Sequence, residues 1–167
     1  MRSRTVVPVA AVCAAAAVLG AGTLASGQPA ATSKAKGDLE SRALFAVLTG
    51  KKEVDAAGNR RVGDPDGRGT FTAIADGGQL CFGITVKNLD APVAAHIHKG
   101  RRNQAGPIVV PLTQPATGDP GASSGCVPIA ADLARAILKN PHKYYTNVHT
   151  AAFQGGAVRG QLFRKSN

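Results

Sequence analysis

The sequence predicts an all-β domain, a sandwich or barrel, on three observations. From Ser41 onward, short apolar runs are cut at close spacing by Gly, Pro and Asp, the punctuation of turns between strands. The run QLCFGITVK alternates Leu80, Phe82, Ile84 and Val86 with Cys81, Gly83, Thr85 and Lys87, the period of two of a strand with one face in the core. One segment alone, AADLARAILKN, breaks the pattern with a helical period.

Before the domain, Arg2 and Arg4 precede an almost uncharged, alanine-rich run from Val6 to Ala25. This is the layout of a secretory signal peptide over residues 1–27, cleaved after Gly27 or, alternatively, after Ala25. A retained anchor is the competing reading, disfavoured because alanine and glycine make the run only weakly apolar. Residues 28–40, beginning QPAATSKAKG, are polar and poor in bulky apolar side chains, and read as a flexible leader. What remains is the size of one domain with one core.

Within it, RALFAVLTG supplies a first strand, DPDGRG a turn, and GTFTAIAD a second strand passed by DGG to QLCFGITVK. Further strands are expected over Val93 to His98, Pro107 to Leu112, and around Cys126 to Ile129. Leu133, Ile137 and Leu138 fall on one side of the short helix, which Asn140 before Pro141 ends. The chain closes in a hairpin, HKYYTNVHT to AVRGQLF through QGG. Its apolar set is Tyr144, Val148, Val158 and Leu162, and its opposite set Tyr145, Asn147, His149, Arg159 and Gln161.

Cleavage removes Cys13 and leaves Cys81 and Cys126 as an even pair, in an exported chain a disulfide joining distant strands. The formal charge is +10. The basic residues are scattered, however, with two tyrosines, five phenylalanines and no tryptophan to interleave them, and no nucleic-acid motif is present. The charge predicts generic attraction to anions, with no specific nucleic acid and no transmembrane segment after processing. No phosphate loop, nucleophile elbow or HExxH helix occurs. Asp64 and Asp66 in DPDG lack the later carboxylates of a calcium loop and read as a turn. Glu53 receives no role from the sequence.

The segment PVAAHIHKGRRNQAG sets His96 and His98 two residues apart, hence on one side of an extended chain, with Val93, Ala95 and Ile97 on the other. By the same parity, His96, His98, Asn147, His149, Arg159 and Gln161 should share one polar face opposite the core. That face admits three readings. Neutral imidazoles can fix strand register through hydrogen bonds. His96, His98 and His149 can converge as an all-nitrogen set suited to copper or zinc. Arg159, with Lys99, Arg101 and Arg102, can recognise an anionic extracellular ligand or partner.

In order along the chain, LFAVLTGKKEV, QLCFGITVKNL, AAHIHKG with GPIVVPL, and YYTNVHTAAFQGGAVRGQL resemble the CHRD domain, the module named from chordin and common in secreted bacterial proteins. The resemblance implies an immunoglobulin-like (Greek-key) β-sandwich with one short helix over residues 41–165. It also implies a secreted binding or structural module with no catalytic machinery that the sequence establishes. A second, local resemblance is to copper-zinc superoxide dismutases, in which a His-x-His strand, a later Val-His and a late arginine surround copper. Their zinc loop, fourth copper histidine and cysteine positions have no counterpart here, and His142 could serve as a ligand only if the turn after Pro141 folded back.

Overall fold

The computed structural model describes residues 42–76 and 78–164; the expected signal peptide and leader lie outside them. Eight strands and one α-helix follow the predicted order. They are β1 (Ala43–Thr49), β2 (Arg68–Asp76), β3 (Gln79–Lys87), β4 (Pro92–Lys99), β5 (Ile108–Leu112), β6 (Gly121–Pro128), α1 (Ala131–Lys139), β7 (Tyr144–Thr150) and β8 (Val158–Gln161). All pairings are antiparallel, in one sheet of order β5-β4-β7-β8-β1-β2-β3-β6. The sheet curls on itself, so that the edge strands approach and the Ser123 hydroxyl of β6 donates to the Thr113 carbonyl just past β5 (2.8 Å). This near-closure gives the all-β, sandwich-like fold its two facing halves and blunts both edges.

Between the halves lies one core. The alternating set of β3 is buried in it, as are Leu44 and Leu48 of β1, Phe71 of β2, Ile97 of β4, and the predicted hairpin set Tyr144, Val148, Val158 and Leu162. Each such aliphatic or aromatic side chain contributes about 1.5–3 kcal/mol by leaving water. The helix lies where its period placed it: Ile137 is fully buried, with Leu133 and Leu138 packed beside the core. Cys81 and Cys126 are direct partners on β3 and β6 and form the expected disulfide, with Cα atoms 3.9 Å apart. The DPDG segment is a turn, in which the Asp64 carboxylate accepts hydrogen bonds from the Asp66 and Gly67 amides.

Two expectations need correction. Strand β6 begins at Gly121, ahead of the predicted Cys126, because GASSG pairs fully with β3 while offering no apolar alternation to reveal it. Val93 does not join Ala95 and Ile97 in the core: a register shift between Pro92 and Ala94 turns it outward, and it is half exposed.

Candidate metal centre

Register between β4 and β7 builds the site. His96 lies opposite Asn147, His98 opposite Tyr145, and His149 opposite Ala94; direct antiparallel partners share a face. Strand β8 extends that face, with Arg159 opposite Asn147 and Gln161 opposite Tyr145. The six residues singled out by parity therefore occupy the side of the sheet away from the hydrophobic core. That side is not open. Asn147 is 1 % exposed, Arg159 2 % and His98 8 %, because three segments fold over it, two of them supplying backbone carbonyls as acceptors.

The β4–β5 loop supplies most of those carbonyls. Gly106 accepts from His98 Nδ1 (2.8 Å), Arg101 and Gln104 accept from Arg159 Nη2 (3.0 and 2.9 Å), and Gly100 accepts from Gln161 Nε2 (2.7 Å). The β7–β8 turn supplies Gln154, whose carbonyl accepts from His149 Nδ1 (2.8 Å). The segment after β1 brings in Glu53, buried against Gly156 and Asn147.

A carbonyl can only accept, so His98 and His149 each carry their proton on Nδ1 and present the lone pair of Nε2. His149 Nε2 lies 3.2 Å from His96 Nδ1. One ring nitrogen from each of the three histidines falls within 4.8 Å of the others, the one such group of ligand-type residues among the described residues. Three nitrogens around one ion at about 2.0–2.1 Å would lie about 3.3 Å apart in a tetrahedral array, so the His96–His149 pair is already at that spacing. His98 Nε2 is buried without a hydrogen-bond partner, a costly state for a polar nitrogen unless something else occupies its lone pair. Burial, reinforced by the neighbouring His149 and His98, pushes the His96 ring down to about 4. Burial also lowers His98, against the pull of its bond to Gly106. Both are neutral imidazoles at pH 7, the state that ligates metal.

Behind the histidines stands a layer of polar side chains, of which the sequence left Glu53 alone without a role. Tyr145 stacks on His98 (centroids 4.7 Å, 6°) while the Arg159 guanidinium lies 3.3 Å from the same ring's centroid. Two groups cannot share one face at these distances, so Tyr145 is sandwiched and Arg159 sits behind it as seen from His98. Arg159 is thus a buried bracing residue with its Nη2 committed to loop carbonyls, while its Nη1 completes no hydrogen bond. Asn147 acts on both Glu53 and His98, although its Oδ1 completes no hydrogen bond. Glu53 is pushed up to about 7, burial outweighing the attraction of Arg159. Gln161 spends its amide on the Gly100, His142 and Tyr144 carbonyls. His142 is exposed and is not a member of the cluster.

A family model, the CHRD domain, matches residues 44–162. The chain belongs to the CHRD family. The match runs from the second residue of β1 to just past β8 and takes in the three histidines, Glu53 and both cysteines of the disulfide. The CHRD domain is an extracellular-type module, and a disulfide accords with that setting. No helix among the described residues is long and apolar enough to cross a membrane. Neither a curated protein nor a solved structure matches this CHRD chain.

Proposed function

We propose that this CHRD protein is a secreted binding module whose ligand at the histidine face is a copper or zinc ion, held by His96 Nδ1, His98 Nε2 and His149 Nε2. The observation that carries the reading is the convergence of one ring nitrogen from each of His96, His98 and His149 within 4.8 Å, with His98 Nε2 buried beside the Asn147 side chain and completing no hydrogen bond. Its support is the pair of Nδ1–carbonyl bonds on His98 and His149, the outer arrangement that fixes tautomer and ring direction in histidine metal sites.

When bound, the ion would supply a Lewis-acid centre and, if copper, a one-electron couple. The protein's part is to keep His96 and His98 neutral by burial and to hold their rings in place. In the metal-free state His96 Nδ1 donates to His149 Nε2; loading requires His96 to move that proton to its own Nε2, with no net change in charge. Arg159 braces the site from behind Tyr145, and no catalytic role is assigned to it.

Protein purified without a histidine tag should bind one equivalent of Cu(II) or Zn(II) and unfold at a higher temperature with it, because the ion binds the folded state alone. His96→Ala, at a half-buried position, should abolish that rise at a cost of about 1 kcal/mol from the lost His149 hydrogen bond, and His98→Ala should abolish it at a larger cost in stability. A wild-type protein whose unfolding is indifferent to both ions would overturn the reading.

A further inference from the structure

A second site stands apart from the histidines. A cavity of about 850 Å³ opens where the turn after β1 meets the tip of the β4–β5 loop, and none of His96, His98 or His149 lines it. Lys51 and Lys52 come from the turn, Arg101 and Arg102 from the loop, while Val47 of β1 and Phe163 beyond β8 give it an apolar floor. Among the described residues no carboxylate lines it. Four exposed cations from two distant segments, with the buried Arg159 beside them, thus converge with no acidic side chain of the described residues among them; the Lys52 ammonium donates to the Val47 carbonyl (2.6 Å). Burial, and then the charge of Arg102, lower the pKa of Lys52. Such like-charge convergence is unfavourable unless an anion answers it.

Two further features give the cavity the character of a built site. The loop carrying Arg101 and Arg102 is braced from below, since Arg159 Nη2 donates to the Arg101 and Gln104 carbonyls; the two cations are therefore presented on a fixed backbone, which reduces the ordering cost of binding. Arg159 itself lines the cavity, and its buried Nη1 has no partner. The floor is also unusual, because Val47 and Phe163 are among the few large apolar side chains left exposed, at 53 % and 47 %.

We infer that this cavity binds a small organic anion with at least two acidic groups, phosphate, sulfate or carboxylate, on an apolar body. The acidic groups meet Lys51, Lys52, Arg101 and Arg102, and the apolar body covers Val47 and Phe163. The volume lies within the about 300–1,000 Å³ range of small-molecule sites.

Calorimetry with naphthalene-1,5-disulfonate, in the presence of chelator so that the histidine site plays no part, tests the assignment. The expected result is one saturable site whose affinity falls with added salt. It should weaken about tenfold or more in the Lys51→Ala/Arg102→Ala protein, whose substitutions are exposed and, by relieving like-charge repulsion, should not lower the unfolding temperature. Phe163→Ser should weaken the disulfonate while leaving inorganic sulfate binding as it was. No saturable binding, or an affinity unchanged in the double variant, would overturn the site. Sulfate binding as tightly as the disulfonate would overturn the apolar half of the proposal. Adsorption to phosphatidylglycerol vesicles by a protein that ignores the disulfonate would overturn the small-molecule assignment in favour of a lipid surface.

Discussion

His98 and Tyr145 stack nearly parallel across the β4–β7 pair, and both are tied to Gly106, which accepts from His98 Nδ1 and donates its N–H to the Tyr145 hydroxyl (3.2 Å). One residue of the β4–β5 loop thereby fixes the ring of a candidate ligand and the ring that backs it. A Cβ at Gly106 would sit 1.8 Å from the Lys99 carbonyl oxygen, so the backbone itself would have to move. Tyr145→Phe keeps the stack and loses one hydrogen bond, at a cost of about 1 kcal/mol. Gly106→Ala should cost more and also displace the carbonyl that orients His98, weakening metal binding by about 10–100-fold. Denaturant titration and metal titration of the two variants together check the order.

Glu53 predicts a pH dependence of stability. Its folded-state value of about 7 exceeds the ordinary 4.5, so between those limits the folded protein holds a proton that the unfolded chain releases. Ionisation of Glu53 therefore costs the fold nothing below about pH 4.5, and that cost grows to about 3 kcal/mol as pH rises through 7. Glu53→Gln removes that titration. Its stability relative to wild type should improve steadily from pH 5 to pH 8, as read by urea unfolding at each pH. A difference independent of pH would refute the assignment.

Arg159 should behave as a structural residue. It is buried, braces two carbonyls of the β4–β5 loop and covers one face of Tyr145. Arg159→Ala leaves those two carbonyls without their donor, and should cost about 1–3 kcal/mol. Arg159→Lys should recover only part, since an ammonium cannot both fork to two carbonyls and lie flat on a ring. Thermal unfolding of the two variants gives the comparison.

The disulfide joins exposed positions on β3 and on the edge strand β6. Cys81→Ser/Cys126→Ser removes no core packing, so the double variant should fold. It should lose up to about 4 kcal/mol, the loop-closure entropy that the cross-link removes from the unfolded chain. Its unfolding midpoint should match that of reduced wild type.

Much of the fold was legible because it is written in local alternation. Strand β3 declares its buried face residue by residue, and the helix declares Ile137. Strand β6 was half hidden because GASSG has no bulky apolar side chains to alternate, and its pairing is set by β3. Glu53 was visible as an isolated carboxylate but had no sequence neighbour to give it a role. Its neighbours Asn147 and Gly156 lie some 100 residues further on and come to it only when the segment after β1 folds over the sheet.

The sequence by itself determined that His96, His98, Asn147, His149, Arg159 and Gln161 lie on one face, because side-chain parity in a strand is a property of the backbone's period of two. It did not determine what that face does. Whether three ring nitrogens meet within 4.8 Å depends on the β4–β7 register and on the Gly106 and Gln154 carbonyls that choose which nitrogen of His98 and His149 keeps its proton. Whether Arg159 meets a ligand or a loop depends on how the β4–β5 connection closes over β8. Those are contacts between segments far apart in the chain, and a hydrogen bond to a main-chain carbonyl leaves no mark on the residue that supplies it, since every residue has one.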